Sequence, residues 1–205
     1  TVGTFDTTPD MELDLPTEGN AFSSRLWMGV GDINGDGLLD LVAVAPVADA
    51  TLAIFSSKVS GGFSTTPATL PLGVPYSIGF SSLVIADFTD DGIDDIAIGV
   101  GSGSPQTVRI YPGRPGQDWS QAPPLLELNG VLNGTMGLAA ADINGDHVKD
   151  LLVGASSAGG HAGIVRVYLG GGDLDAIPDK YVEVSNQNNS GSYLLSVGDI
   201  NGDGY

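Results

Sequence analysis

The amino-acid sequence predicts an all-β fold built from repeated four-stranded units. Its apolar runs are short and lie between turns, and 31 glycines and 12 prolines are scattered through the 205 residues. This composition is typical of many short elements joined by tight turns. No stretch keeps a helical period of apolar residues for long enough to predict a helix. An internal repeat then sets the size of the unit.

Four segments align with one another without gaps, and each contains a cluster of aspartates. They read GDINGDGLLDLVAVAP from residue 31, ADFTDDGIDDIAIGVG from residue 86, ADINGDHVKDLLVGAS from residue 141 and GDINGDGY from residue 198. Their first aspartates lie 55, 55 and 57 residues apart: Asp32, Asp87, Asp142 and Asp199. A period of this length fits a four-stranded blade of a β-propeller.

The repeat therefore predicts one partial propeller over residues 1–205, with about three and a half blades. The predicted blades cover approximately residues 20–72, 79–128, 134–184 and 191–205, and the last one is truncated. Either the rest of a longer chain or further copies of this chain would have to complete the ring. Residues 11–15 are predicted to form an outer strand of a preceding or closing blade.

Each blade divides into four predicted strands in the same order. A short apolar strand enters the aspartate cluster, at residues 26–30, 83–85, 136–140 and 193–197. A continuously apolar strand leaves it, at residues 41–45, 96–100 and 151–155, as expected of a strand buried on both faces. A third strand ends in an aromatic residue at Phe55, Tyr111 and Tyr168, and a fourth lies near residues 69–72, 125–128 and 181–184.

The aspartate clusters carry the predicted chemistry. We number them loop 1 (residues 32–40), loop 2 (87–95), loop 3 (142–150) and loop 4 (from 199), and each follows the pattern D-x-N/T-x-D-x-x-x-D as far as the chain extends. Alternate residues of a tight loop can point at one cation, and calcium takes about six to eight oxygen ligands. Position 7 would contribute its backbone carbonyl oxygen. The predicted ligands of three to four calcium ions are Asp32, Asn34, Asp36, Leu38 and Asp40; Asp87, Thr89, Asp91, Ile93 and Asp95; Asp142, Asn144, Asp146, Val148 and Asp150; and Asp199, Asn201, Asp203 and Tyr205.

The spacing favours calcium over magnesium, and a β-hairpin site over an EF-hand. Magnesium demands a smaller, near-octahedral site and usually keeps several waters. An EF-hand has the same early spacing but supplies a glutamate at position 12, followed by a helix. Position 12 here is Ala43, Ile98 or Val153, inside a β-like apolar run. The sequence therefore predicts a calcium site in a β-hairpin.

Charge and composition exclude several function classes. The chain has 25 acidic and 7 basic residues, a net charge of −18, and 13 of the acids lie in the four loops. Nucleic-acid binding needs clustered lysine and arginine, so it is not expected. No apolar run is long enough to insert into a membrane. Cysteine is absent and only His147 and His161 are histidines, so no nucleophilic triad is suggested and the chain is predicted not to be an enzyme. Asp90 and Asp94 are interpreted as exposed loop charges.

The loops and their exits resemble the FG-GAP repeats of integrin α-subunit propellers. Residues 31–40 match the family's GDxNGDGxxD loop, residues 40–46 and 150–156 resemble its exit strand, and residues 162–170 (AGIVRVYLG) resemble its third strand. The resemblance implies a seven-bladed propeller with calcium in the hairpin between the first two strands of each blade. The Phe-Gly signature is degraded, and His147 replaces the glycine of position 6, where a positive φ is expected. Loop 3 is therefore predicted to be the weakest complete site.

Three functions are compatible with such a chain. The first is a non-catalytic extracellular module for adhesion or for binding a protein or glycan, secreted or on the cell surface. The second is a calcium-stabilised scaffold of a larger secreted enzyme, and the third is a self-assembling filament or surface-structure subunit. Because strand direction alternates, a ligand is expected at the end of the blades opposite the calcium loops, on the connections at residues 46–51, 73–79, 101–106, 129–134, 156–162 and 186–191.

Overall fold

The computed structural model describes residues 11–16, 27–45, 49–75, 80–100, 106–132, 136–155 and 164–183. It contains three four-stranded antiparallel sheets, each formed by consecutive strands paired in chain order. Blade 1 consists of β1 Met28–Gly31, β2 Asp40–Ala45, β3 Asp49–Phe55 and β4 Ala68–Pro75. Blade 2 consists of β5 Phe80–Ala86, β6 Asp95–Val100, β7 Gln106–Tyr111 and β8 Leu126–Leu132. Blade 3 consists of β9 Met136–Ala141, β10 Asp150–Ala155, β11 Ile164–Tyr168 and β12 Lys180–Glu183.

This architecture confirms the predicted all-β fold of four-stranded blades, a partial propeller. The only helical elements in the described ranges are the 3-10 turns Trp119–Gln121 and Gly171–Asp173. No helix among these residues is long and apolar enough to cross a membrane. Residues 191–205, the predicted truncated blade, lie outside the described residues, and the exact domain and blade limits stay predictions.

The first two strands of every blade form a hairpin that closes on the aspartate loop. In blade 1 the register pairs Gly31 with Asp40, so the ninth residue of the loop is also the first residue of β2. Ala86 pairs with Asp95 and Ala141 with Asp150 in the same way. The three complete loops therefore leave equivalent positions of equivalent hairpins, because the apolar strands on both sides fix the register.

The blades stack face to face through alternating apolar side chains. The contact between blades 1 and 2 includes the buried Val42, Val44, Leu52, Ile54, Ile96, Ile98 and Tyr111. The contact between blades 2 and 3 includes the buried Val108, Ile110, Leu128, Leu151, Val153 and Tyr168. The Arg109 guanidinium also donates a hydrogen bond to the Leu72 carbonyl oxygen, which ties β7 to the outer strand of blade 1.

Residues 11–16 pair with no strand of the described ranges. Leu13 and Leu15 pack against Ala53 and Phe55, on the face of blade 1 that points away from blade 2. We call this face the front face of blade 1. A strand requires a hydrogen-bonding neighbour, and the preceding or closing blade that would supply one lies outside the described residues. The predicted outer strand therefore stays a prediction.

Candidate metal centre

The three complete loops share one backbone conformation, in which positions 4 and 6 have positive φ. The φ angles are 73° and 82° at Gly35 and Gly37, 61° and 83° at Asp90 and Gly92, and 82° and 74° at Gly145 and His147. The positive φ expected at His147 is confirmed. Glycine takes this conformation without strain, while aspartate and histidine are among the side chains that tolerate it.

The first aspartate of each loop accepts hydrogen bonds from backbone N–H groups of the same loop. Asp32 Oδ1 accepts from Gly35 and its Oδ2 from Gly37, both at 2.8 Å. Asp142 accepts in the same way from Gly145 at 2.7 Å and His147 at 2.8 Å. Partial burial raises the pKa of Asp142, but these N–H groups outweigh it and the pKa lies below its usual value. The loop is thus built to hold this carboxylate ionised.

Loop 2 repeats the arrangement with one exception. Asp87 accepts from the N–H groups of Asp91 at 3.2 Å and Gly92 at 2.8 Å. At position 3, however, loop 2 has Thr89, whose hydroxyl oxygen is buried and whose nearby polar group is the Asp95 carboxylate. A buried oxygen is costly unless another group binds it. A cation in the loop is one such group.

Positions 3 and 5 organise the rest of the loop. The carboxylates of Asp36, Asp91 and Asp146 each accept from the position 7 N–H, at 2.9 Å in all three loops. Asn34 and Asn144 each accept from the position 5 N–H at 3.0 Å. The Asn34 side-chain N–H also donates to Asp40 Oδ2 at 2.8 Å, which joins position 3 to position 9.

The ninth aspartates have a structural role in addition to their predicted role as ligands. Asp40, Asp95 and Asp150 are completely buried. One oxygen of each accepts a backbone N–H two residues beyond the aromatic end of the third strand: Ser57 at 2.8 Å, Gly113 at 3.0 Å and Gly170 at 3.0 Å. These carboxylates therefore connect the aspartate-loop hairpin to the third strand of the same blade. No single residue type marks this position, which is serine in blade 1 and glycine in blades 2 and 3, so only the constant spacing from the aromatic could have revealed the contact.

Electrostatics indicates that the carboxylates of a loop share a small volume. Burial raises the pKa of Asp40, and repulsion from Asp36 and Asp32 raises it further. Burial likewise raises the pKa of Asp95 to about 6, with repulsion from Asp91 in the same direction, although N–H groups of Gly113 and Phe88 oppose it. A cation among these groups would favour their ionised forms.

The residues fit calcium by the chemistry of their donors, since every side chain at positions 1, 3, 5 and 9 offers an oxygen. As the loops stand, no group of three or more carboxylates or imidazoles within the described ranges is arranged to hold a metal ion. The oxygens of positions 1 and 5 bind backbone N–H groups instead, as described above. Asp199, Asn201, Asp203 and Tyr205 of loop 4 lie outside the described residues, as do parts of the predicted ligand-binding connections. The ligand assignments in loops 1 to 3 stay predictions.

Loops 1 and 2 each contact the following blade across the blade boundary. The Ile33 carbonyl accepts from the Arg114 N–H at 3.1 Å, and the equivalent Phe88 carbonyl accepts from the Gly171 N–H at 2.8 Å. Asp94 Oδ2 accepts from the Asp32 N–H at 2.8 Å. The interpretation of Asp94 as an exposed loop charge is therefore wrong, because the residue is half-buried against blade 1, whereas Asp90 is exposed as predicted.

A family model for the FG-GAP-like repeat matches residues 32–98 and 87–153, which together span more than half of the 205 residues. Each match begins at the first aspartate of one loop and extends into the strand that leaves the next. The chain belongs to the FG-GAP-like repeat family. The predicted resemblance to integrin-like repeats is thereby confirmed.

Known relatives include two kinds of protein. Integrin alpha-PS2 of Drosophila melanogaster is 32% identical over 60% of this chain, and integrin alpha-7 of Rattus norvegicus is 31% identical over 62%. Phosphatidylinositol-glycan-specific phospholipase D of Mus musculus is 31% identical over 75% of this chain. The matched region makes up 10%, 12% and 20% of these relatives, respectively. The FG-GAP-like chain thus corresponds to a minor part of each.

Proposed function

We propose that this FG-GAP-like chain is a non-catalytic, extracellular calcium-binding propeller module for adhesion or for binding a protein or glycan. The observation that carries the proposal is the repetition of one loop conformation with an oxygen-rich donor set in three consecutive blades. Repulsion of Asp40 by Asp36 and Asp32 in loop 1, and of Asp95 by Asp91 in loop 2, supports a cation in each of these loops. Calcium is available at high concentration outside cells, where sites of modest affinity suffice.

Titration of the chelated protein with calcium, followed by calorimetry and thermal unfolding, tests the metal. We expect three to four sites, one for each loop, and a rise in melting temperature. At tenfold saturation each site would add about 1.4 kcal/mol to the free energy of unfolding. Magnesium at the same concentration should have a much smaller effect, because the site requires more ligands and longer distances than magnesium prefers.

The variants to compare are Asp36→Ala and Asp90→Asn, since asparagine tolerates the positive φ of Asp90 and alanine does not. Both remove one exposed acid from an aspartate loop, but only Asp36 belongs to a predicted ligand set. Asp36→Ala should abolish one site and Asp90→Asn should leave the number of sites unchanged. A melting temperature that calcium does not change would refute the metal assignment.

A protein or glycan ligand is proposed at the end of the blades opposite the calcium loops. The antiparallel order within each sheet places the β1–β2 and β3–β4 connections at one end and the β2–β3 connection at the other. Calcium binding thus leaves the second end free for a ligand, and the net charge of −18 favours a ligand that is not polyanionic. Substitutions made separately at each end, with binding to candidate ligands measured in saturating calcium, would distinguish the two ends.

An enzyme scaffold is the second candidate, and the relationship to phospholipase D is the observation that favours it. This relative covers 75% of the chain, more than either integrin does. In this case the module would stabilise or orient a catalytic domain encoded on the same gene. The complete coding sequence of the native protein discriminates the two, since a hydrolase domain supports a scaffold and adhesion domains support a binding module.

A further inference from the structure

One acid of loop 2 reaches into blade 1 and holds the backbone at the start of loop 1. Asp94 Oδ2 accepts a hydrogen bond from the Asp32 N–H at 2.8 Å. In the opposite direction, the Asp94 N–H donates to the Asp32 carbonyl oxygen at 3.0 Å. The peptide groups on both sides of Asp32 are therefore fixed by the neighbouring blade.

The space for this contact depends on a glycine. A Cβ atom on Gly31 would lie 2.7 Å from Asp94 Oδ2 and 2.4 Å from the Ile85 side chain, and real side chains do not approach so closely. At the next blade boundary Ala86 stands in the place of Gly31, and Lys149 stands in the place of Asp94. The glycine and the acid thus occur together at the boundary between blades 1 and 2 and are both absent from the boundary between blades 2 and 3. Loop 1 can therefore be compared with a neighbouring loop that lacks this contact.

We propose that Asp94 is a positioning residue for calcium binding in loop 1. The proposal rests on the calcium function proposed above. Asp32 is the first predicted ligand, and its carboxylate direction depends on the backbone that Asp94 fixes. Because blade 2 holds this backbone before calcium arrives, less ordering remains to be done on binding. By linkage, calcium in loop 1 must in turn stabilise the packing of blade 2 on blade 1.

Geometry and charge are two separable ways for Asp94 to act. An asparagine keeps an oxygen that can accept the Asp32 N–H but removes the negative charge. An alanine removes both. Asp90, which is exposed in the same loop, provides the control for loss of one charge without loss of the cross-blade bond.

The test is a calcium titration of the isotope-labelled full chain by NMR, in wild type and in Asp94→Ala, Asp94→Asn and Asp90→Asn. Asparagine is used at Asp90 because it tolerates the positive φ of this residue, which alanine does not. The amide signals of Gly37 and Gly145 report loop 1 and loop 3 separately. We expect Asp94→Ala to weaken loop 1 about five- to tenfold, in the usual range of coupling between sites. Loop 3 should be unchanged in every variant, and Asp94→Asn and Asp90→Asn should stay within about twofold of wild type at loop 1, below the usual coupling range.

Hydrogen exchange gives a second readout that does not depend on affinity. The Asp32 amide should exchange more slowly with calcium than without it in wild type, and more rapidly in calcium-loaded Asp94→Ala than in calcium-loaded wild type. An unchanged loop 1 affinity in Asp94→Ala overturns the proposal, and so does an equal loss in Asp94→Asn and Asp90→Asn, which would indicate charge alone. If Asp94→Ala does not fold, the Asp32 amide of wild type gives the decision: exchange that calcium does not slow overturns the proposal. If wild type does not bind calcium at all, the proposed function itself is contradicted. This outcome differs from one in which wild type binds calcium and Asp94→Ala binds it equally well, which contradicts only the role of Asp94.

Discussion

The buried Asp95 carboxylate accepts the backbone N–H of Gly113 at 3.0 Å and, through its other oxygen, the N–H of Phe88 at 2.9 Å. A single side chain thus joins the loop 2 hairpin to the end of β7. Asp150 makes the equivalent pair of bonds to Gly170 and Ile143. This repetition indicates a structural role of Asp95 and Asp150 in addition to their predicted role as ligands.

We therefore expect Asp95→Ala to destabilise the calcium-free protein. The substitution would leave the buried N–H groups of Gly113 and Phe88 without acceptors, at a cost of about 2–3 kcal/mol. Urea unfolding in excess chelator measures the effect. Asp91→Ala is the matched control: it also removes a predicted ligand, but Asp91 is exposed and its loss relieves repulsion on Asp95, so stability in chelator should change by less than about 0.5 kcal/mol. Equal losses in the two variants would show that the ninth aspartate has no separate structural role.

The sequence predicted the repeated unit well because its signals are local. Period, strand order and loop residues follow from apolar runs and recurring aspartates, and β2, β6 and β10 differ from their predicted starts by one residue. The contacts between blades could not be predicted in this way. Asp94 and Asp32 are 62 residues apart, and nothing in the local pattern of loop 2 distinguishes Asp94 from the exposed Asp90. Residues 11–16 illustrate the same limit, since their apolar alternation is equally compatible with a strand and with packing on a sheet face.

His147 should weaken both the fold and the predicted third site. It has a φ of 74° at a position where loops 1 and 2 have glycine. Left-handed backbone costs an ordinary residue about 1–2 kcal/mol, partly offset by the greater unfolded-state entropy of glycine. His147→Gly is therefore expected to raise the free energy of unfolding by about 0.5–1 kcal/mol and to strengthen calcium binding in loop 3.

The reciprocal variant is Gly92→His. Gly92 has a φ of 83°, and a Cβ there would meet nothing within 4 Å, so backbone strain is the expected cause of any loss of stability. Gly92→His should lower the free energy of unfolding by about as much as His147→Gly raises it. A loss in both variants would instead mean that the His147 ring makes a favourable interaction in loop 3.

Gly113 is required for the close approach of its backbone to loop 2 of the same blade and to loop 1 of blade 1. A Cβ at this residue would lie 2.2 Å from the Asp94 carbonyl oxygen and 2.9 Å from the Ile33 carbonyl oxygen, and backbone atoms do not move aside as flexible side chains do. Gly113→Ala should therefore cost about 2–3 kcal/mol. Gly172→Ala is the control, because its Cβ would meet nothing within 4 Å and no positive φ is involved. Thermal unfolding of both variants in chelator checks the difference; similar melting temperatures would contradict the close approach.

The final prediction concerns the front face of blade 1. The positions that carry Arg109 and Tyr111 in blade 2 are occupied in blade 1 by Ala53 and Phe55, which are fully buried under Leu13 and Leu15. In blade 2 the arginine bonds to the outer strand of the preceding blade, and alanine lacks this ability. The front face of blade 1 therefore depends on apolar contact with residues 11–16.

Leu13→Ala should expose part of Phe55 and lower the free energy of unfolding by about 1–2 kcal/mol, less than a full core truncation because Leu13 is itself only half-buried. Val59→Ala removes apolar surface from a side chain that is 97% exposed, and it should have no measurable effect. The loss in Leu13→Ala should be equal with and without calcium, because the front face lies on the third strand and contains no loop 1 ligand. A loss that occurs only in calcium would instead mean that residues 11–16 stabilise the metal site.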